Sequence, residues 1–253
     1  MKKFFFLIFS LWTSIQAFAA EENRPLIVGT TSGYAPFVSL NTQGKYEGFD
    51  IDVAELLGKK LSRPIIIKDC GSMPGLMIAL KQGKIDVLIW AVSITEDRLK
   101  NVDMVYYQGE KVTKIPILFW KSIPEGIQSL EDLVKDSKKP ISIEGGSFQE
   151  GILKSLANAP LKYVDKIDDI IMEIKYGKSS AGTIDSCLLP RFQAQYPEIK
   201  ILELPIPGDK QSLGNGICIN KSNKELTAQV RQAIAELNEE GKITALEKKW
   251  KLL

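Results

Sequence analysis

Histidine is absent from this chain of 253 residues. Its absence excludes Ser-His-Asp and Cys-His catalysis in their usual forms, and it removes the commonest ligand of metal ions. The cysteines lack a zinc-type spacing, and no glycine-rich loop of the P-loop type is present. We therefore predict no metal site and no cofactor, and we expect that the protein is not an enzyme.

Cysteine is scarce, since only Cys70, Cys187 and Cys218 are present. An odd number of cysteines leaves at least one thiol unpaired. The three positions are compatible with one disulfide or with none.

Long apolar runs are absent after the first 20 residues, which have the pattern of a secretory signal peptide. Two lysines precede an apolar run at 4–12, and Ala17, Ala19 and Ala20 supply small residues after it. The apolar run is too short to span a bilayer by itself. We predict cleavage near Ala19 or Ala20 and a mature protein in the periplasm.

A large excess of charge of either sign is also missing. The chain has 33 basic and 31 acidic residues, and removal of Lys2 and Lys3 with the signal peptide leaves 31 of each. Nucleic-acid binding usually requires a basic face. We therefore predict that nucleic acid is not a partner of this protein.

Short apolar strands alternate with amphipathic helices along the mature chain, which predicts an α/β fold with largely parallel sheets. Two apolar segments that contain proline, 112–120 and 202–208, are interpreted as crossings between two lobes. We predict that residues 21–110 and 211–253 form lobe 1, and that residues 111–210 form lobe 2.

Acidic residues lie in the first turn of the helix predicted at 48–58. Asp50 and Asp52 have the spacing of a carboxylate pair, but the positive end of a helix dipole also favours acidic residues there. We interpret both residues as stabilising the start of the helix.

The segment Ser93–Arg98 follows the apolar run 85–92, which is predicted to be a buried strand. Thr95 is a suitable N-cap for a helix that starts there, so Arg98 lies in the first helical turn. A cation at that end disturbs the helix dipole, and an anion bound by the guanidinium explains the arginine better. The alternative is a surface ion pair with an adjacent acidic residue.

A second polar strand end follows the apolar segment 181–184, where Asp185 is placed. Ligands of open α/β sheets bind at the carboxyl ends of strands. A cation from one lobe and a carboxylate from the other, Arg98 and Asp185, match the two charges of an α-amino acid. Alternatively, Asp185 only caps the turn that follows it.

A glycine-rich turn at 144–147 follows another predicted strand. Ser147 and Glu150 have the spacing of a capping box for the next helix. The free backbone N–H groups of such a turn suit a carboxylate ligand. An ordinary connection between a strand and a helix has the same appearance.

Several segments of the chain carry a family resemblance, most specifically 29–37, 48–54, 93–98, 146–150 and 214–219. They resemble the polar amino-acid family of bacterial solute-binding proteins, which supply ABC transporters. The resemblance extends over nearly the whole mature chain, and the segment 170–179 is most similar to arginine-binding members of the chlamydial kind. It implies the type II fold of periplasmic binding proteins, in which a two-strand hinge joins the lobes.

The resemblance also implies roles in binding the part common to all amino acids. Arg98 and the backbone N–H groups of Ser93 and Phe148 are expected to hold the α-carboxylate. Asp185, the Ser93 hydroxyl and the Ala91 carbonyl are expected to hold the α-ammonium group.

Other positions are expected to surround the ligand side chain. Tyr34 and Met73 flank it by the resemblance, although Met73 replaces a residue that is usually aromatic in binders of basic amino acids. Thr31 stands where several of those binders have an acidic residue, and Glu144 offers a negative partner instead. Trp90 replaces a small residue, so it either stacks on a guanidinium or narrows the site.

The resemblance implies a monomeric protein that binds an amino acid by hinge closure and delivers it to a membrane permease. Arginine is the first expectation, and glutamine or another polar amino acid is the alternative. A further alternative is an exported enzyme of the same fold, such as a cyclohexadienyl dehydratase, with Glu144 as its general acid or base. A sensor or surface protein with another partner is the third.

Overall fold

The computed structural model describes residues 24–253, so the predicted signal peptide and its cleavage point lie outside the described residues. The strands are β1 (Leu26–Thr30), β2 (Ser39–Leu40), β3 (Tyr46–Glu47), β4 (Ile65–Asp69), β5 (Val87–Leu88), β6 (Val102–Gln108), β7 (Lys114–Trp120), β8 (Ile141–Glu144), β9 (Leu161–Val164), β10 (Ala181–Thr183), β11 (Ile199–Pro205) and β12 (Asn215–Asn220). The α-helices are α1 (Phe49–Lys60), α2 (Met73–Lys81), α3 (Glu96–Asn101), α4 (Leu130–Asp136), α5 (Phe148–Leu153), α6 (Ile167–Lys175), α7 (Leu189–Gln195), α8 (Lys224–Glu239) and α9 (Lys242–Lys249). Short 3₁₀-helices lie at Ser186–Leu188 and Gly208–Lys210.

The strands form two five-stranded sheets and one two-stranded sheet. In the first large sheet the order is β4-β1-β5-β12-β6, and only β12 runs against its neighbours. In the second the order is β9-β8-β10-β7-β11, with three parallel strands followed by an antiparallel pair. We call the parts of the chain around these sheets lobe 1 and lobe 2. The predicted fold class, two mostly parallel sheets flanked by helices, is confirmed.

Two chain segments connect the large sheets, 109–113 and 206–214. The Val112 N–H donates to the Ser212 carbonyl at 3.0 Å, and the Ile206 N–H donates to the Thr113 carbonyl at 3.0 Å. The two segments therefore form a paired hinge.

The predicted crossings at 112–120 and 202–208 were placed too far into lobe 2, because most of their residues belong to β7 and β11. Pro116 is tolerated within β7 because β10 pairs only with Ile117 and Leu118 on that side. Its missing N–H therefore removes no bond to β10.

Side chains cap the helices that begin near the lobe interface. Thr95 Oγ1 accepts from the Arg98 N–H at 3.2 Å, as predicted. Ser147 Oγ accepts from the Glu150 N–H at 3.1 Å, and the Glu150 carboxylate accepts from the Gly146 N–H at 2.6 Å. The capping box is present, but the Glu150 carboxylate accepts from the N–H of Gly146 and not, as in the usual motif, from that of the N-cap residue Ser147.

The apolar run 85–92 is buried as predicted, but only Val87 and Leu88 form a strand. The backbone of Ala91 has φ +43°, which is a left-handed conformation that extended strands do not contain. The chain therefore leaves the sheet before it reaches the turn that carries Arg98.

The interpretation of Asp50 and Asp52 as helix-start residues was incomplete. Asp50 is 1% exposed, and its carboxylate accepts from the Tyr107 hydroxyl and from the Ala91 N–H. Asp52 accepts from the Trp250 indole N–H at 2.6 Å. Both carboxylates therefore connect α1 to distant parts of the chain.

The three cysteines are free: Cys218 is buried, Cys70 is half-buried and Cys187 is exposed. None of the helices within residues 24–253 has the length and apolar character needed to cross a membrane.

Candidate functional site

A small cavity of about 20 Å³ lies between the two lobes. Its lining residues are Tyr34, Met73, Trp90, Ala91, Val92, Ser93, Arg98, Glu144, Ser147, Phe148 and Asp185. Nearly all of them follow, or end, a parallel strand of one of the two large sheets. The carboxyl ends of parallel strands meet at one edge of a sheet, which explains why residues so distant in sequence come together.

Nine of the ten residues that the sequence singled out line this cavity, and Thr31 does not. Thr31 is 7% exposed and is placed beside Asp69, where β1 and β4 end. The Thr31 side chain contributes to lowering the pKa of the Asp69 carboxyl group, which places it at the end of β1 and β4 rather than in the cavity lining.

The Arg98 guanidinium contacts both lobes. Nη1 donates to the Ser93 carbonyl at 2.8 Å, and Nη2 donates to the Gly146 carbonyl at 2.9 Å across the interface. Burial lowers the pKa of Arg98, but an arginine titrates so far above neutrality that it remains a cation. Two of its five N–H groups are used by these carbonyls, which leaves donors for an anion.

The alternative of a surface ion pair for Arg98 is not what the structure contains. Asp97 instead pairs with Lys100 at 2.6 Å and with Lys210 at 3.4 Å. Within residues 24–253, Arg98 forms no salt bridge with a carboxylate.

Asp185 faces Arg98 from lobe 2, and its side chain does not cap the 3₁₀-helix that follows it. One carboxylate oxygen accepts from the Tyr34 hydroxyl of lobe 1, and the other accepts from Gln149 Nε2 at 2.6 Å. Burial, together with the charge of Asp185, raises the pKa of Tyr34 well above its usual value. The Tyr34 hydroxyl therefore remains a donor to Asp185.

Gln149 was missed by the sequence analysis. It is buried in the first turn of α5, directly after Phe148. A polar residue in a first helical turn is usually exposed, so its position alone contains no signal for a contact with Asp185.

Glu144 is the last residue of β8 and presents a second carboxyl group to the cavity. Burial, and secondarily the charge of Asp185, raises the pKa of Glu144 to about 8. In the described part of the chain, its carboxyl group has no salt-bridge partner. A cation brought into the cavity would favour the ionised form of this group.

Apolar side chains close the cavity on the lobe 1 side. Trp90 is 6% exposed, and its ring centroid lies 5.3 Å from that of Tyr34. Trp90 Nε1 is a buried donor without a partner among residues 24–253. Met73 packs so closely on Gly146, which has φ +77°, that a Cβ there would lie 2.9 Å from Met73 Cγ.

Two α/β lobes, a paired hinge and a small polar cavity between the lobes define a two-lobe binding protein. A family model described as bacterial extracellular solute-binding proteins, family 3, matches residues 26–252. The chain belongs to this family, which confirms the resemblance seen in its motifs.

Individual relatives cover nearly the whole chain. The probable ABC transporter arginine-binding protein ArtJ of Chlamydia trachomatis is 28% identical over 232 residues, which are 92% of this chain and 88% of ArtJ. A solved ancestral arginine-binding protein bound to arginine is 30% identical with a TM-score of 0.77, covering 90% of this chain and 99% of that chain. An ancestral arginine-binding protein bound to glutamine is 31% identical with a TM-score of 0.75, covering 89% and 97%.

Proposed function

We propose that this protein is a periplasmic binding protein that captures arginine between its two lobes and delivers it to the permease of an ABC transporter. The observation that carries the proposal is the charge around one cavity, where Arg98 faces the carboxyl groups of Asp185 and Glu144. Arginine has one carboxylate and two cationic groups, so the charges of ligand and cavity are complementary. The relatives named for arginine support this choice.

In this proposal, the groups common to all amino acids bind between Arg98 and Asp185. The guanidinium and the N–H groups of Ser93 and Phe148 hold the α-carboxylate. Phe148 is the first residue of α5, so the helix itself does not use its N–H. Asp185, the Ser93 hydroxyl and the Ala91 carbonyl hold the α-ammonium group.

The ligand side chain is directed toward Glu144. An ionised Glu144 accepts two parallel hydrogen bonds from a guanidinium, which a neutral amide donates less well. Trp90 and Tyr34 supply aromatic faces on which a guanidinium stacks, and Met73 packs on the aliphatic stem. Thr31 is left out of this account because its hydroxyl lies beside Asp69.

Ligand capture is coupled to rotation of the lobes about the paired hinge. Lobe 1 comprises residues 21–110 and 211–253, and lobe 2 comprises residues 111–210. The ligand stabilises the closed arrangement because only that arrangement brings Arg98 and Asp185 to it together. The closed monomer then docks on the membrane permease.

The decisive experiment is calorimetry of the unmutated mature protein against a panel of amino acids. We expect arginine to bind most tightly, and Arg98→Ala to weaken its binding by at least 100-fold because a charge-assisted contact to the α-carboxylate is lost. Arg191→Ala is the matched control, because Arg191 is a lobe 2 arginine that pairs with Asp168 at 2.7 Å outside the cavity. Unchanged affinity in Arg98→Ala would refute the site.

Glutamine is the second candidate, because a protonated Glu144 can donate a hydrogen bond to a side-chain amide. In the same panel, glutamine binding tighter than arginine binding would select this alternative. The enzyme alternative also depends on the raised pKa of Glu144. It predicts release of product from a cyclic acid substrate, which the binding proposal does not.

A further inference from the structure

We propose that Asp50 is a positioning residue of the ligand site, because its buried carboxylate holds the backbone of Ala91 in a left-handed conformation beside the cavity. This inference rests on the proposed function, since Ala91 and Ser93 are placed next to the amino acid. Asp50 itself does not line the cavity.

The carboxylate of Asp50 has two neutral donors and no salt-bridge partner in the described chain. Oδ2 accepts from the Ala91 N–H at 2.8 Å, and Oδ1 accepts from the Tyr107 hydroxyl at 2.6 Å. Burial raises the pKa of Asp50 to about 7, so the protein tolerates an unfavourable environment for this acid. Stabilising the first turn of a helix does not require burial, since the dipole acts on exposed acids as well.

Ala91 needs such a partner because its φ of +43° is unfavourable for a residue with a Cβ. Residues other than glycine persist in this region when surrounding contacts impose it. The hydrogen bond from the Ala91 N–H to Asp50 joins residues 41 positions apart in the sequence. It holds the Ala91 N–H toward the buried Asp50 carboxylate.

The conformation of Ala91 determines where the following residues lie. Ser93 comes two positions later, and its carbonyl accepts from Arg98 Nη1 at 2.8 Å. The Gly216 N–H donates to the Val92 carbonyl at 2.8 Å, so the segment after Ala91 is held against the start of β12. A change at Ala91 would therefore shift both Ser93 and the guanidinium of Arg98.

A chain of aromatic rings keeps Asp50 in place. Tyr107 is stacked with Phe49 at 6.0 Å, and Phe49 contacts Phe37 edge-on at 6.0 Å. Phe37 in turn lies 5.7 Å from Tyr34, which lines the cavity. The support of Asp50 is therefore continuous with the wall of the site.

The test compares three variants by calorimetry with L-arginine and L-glutamine, and by thermal unfolding. Asp50→Ala leaves Ala91 without its acceptor, so we expect affinity to fall at least tenfold. Adding Ala91→Gly should recover most of this loss, because glycine adopts positive φ without strain. Asp50→Asn should stay within about threefold of the parent protein, because its amide accepts from Ala91 and donates to Tyr107.

Asp52→Ala is the matched control. Asp52 is an acid of the same helical turn, but it bonds to Trp250 and Lys249 rather than to the cavity wall. Its loss should leave affinity unchanged while lowering the unfolding temperature.

Retained affinity in Asp50→Ala would overturn the inference, and so would a loss that Ala91→Gly fails to recover, which is the result expected of a general packing role. If Asp50→Ala does not fold, the other two variants decide, because a folded Asp50→Asn with more than tenfold weaker binding also overturns it. Absence of amino-acid binding in the unmutated protein would refute the proposed function and this inference together. If the unmutated protein binds an amino acid and Asp50→Ala binds it with the same affinity, only this inference is refuted.

Discussion

The two lobes have the same strand order but contribute opposite charges to the cavity. In each large sheet three parallel strands lie side by side, β4-β1-β5 in lobe 1 and β9-β8-β10 in lobe 2, and are followed by an antiparallel pair. The segment after β5 carries Arg98 in lobe 1, and the segment after the corresponding strand β10 carries Asp185 in lobe 2. Equivalent positions on one scaffold thus supply a cation and an anion, so the charges at the strand ends distinguish the lobes.

The lobes also differ in how their buried acids are satisfied. Asp50 in lobe 1 accepts from two protein groups, Ala91 and Tyr107. The Glu144 carboxyl group in lobe 2 has neither a hydrogen bond nor a salt bridge to another described residue, and it faces the cavity. The first acid therefore serves the architecture of the site, while the second remains available to a ligand.

The largest effect is expected from removing the anion that lobe 2 contributes. Asp185→Ala should weaken binding of every amino acid by at least 100-fold, because the α-ammonium group and the Tyr34 hydroxyl both lose their acceptor. Calorimetry measures the loss, with Asp168→Ala as the exposed control. Equal affinities in the two variants would contradict the division of charge between the lobes.

A smaller and selective effect is expected at Glu144. Glu144→Gln should weaken arginine about tenfold or more and leave glutamine within about threefold, because only the guanidinium loses an ionic partner. The ratio of the two affinities is the measurement. A parallel loss for both ligands would mean that Glu144 does not select the side chain.

The pH dependence of arginine binding provides a second test of the role of Glu144. Its pKa is raised to about 8, so below that pH arginine must displace a proton from it, and affinity should rise about tenfold from pH 6.5 to 8 and then level off. Asp50 also titrates near 7, while Arg98, Asp185 and Tyr34 are the other ionisable groups around the cavity. Glu144→Gln isolates its contribution, and a pH dependence that persists in this variant would assign the effect elsewhere.

The smallest effects are expected from the helix N-caps. One cap from each lobe can be compared by the change in the free energy of unfolding when it is removed. Thr95→Ala and Ser129→Ala each remove one N-cap and should lower the free energy of unfolding by about 1 kcal/mol. Only Thr95→Ala should also weaken binding, because α3 carries Arg98. Denaturant unfolding and calorimetry on both variants test this. Equal affinities would mean that the Thr95 cap does not position Arg98 for binding.

Local patterns in the sequence were sufficient for much of the fold and for part of the site. Ile167, Ile170, Ile171 and Ile174 have helical spacing, and all four are buried on α6. Arg98 was conspicuous because a cation is unfavourable in a first helical turn. The position of Arg98 and the buried face of α6 could be predicted because spacing and capping depend only on neighbouring residues.

The sequence by itself determined the class of fold and the helix starts at Thr95 and Ser147, next to which cavity residues lie. Only the tertiary structure decided which distant groups meet: Asp50 with Ala91, Gln149 with Asp185, and Thr31 with Asp69 rather than with the cavity. The reason is physical, since periodicity reports which residues are buried but not which donor a buried carboxylate finds. That choice depends on how two sheets pack around a hinge, and no local pattern encodes it.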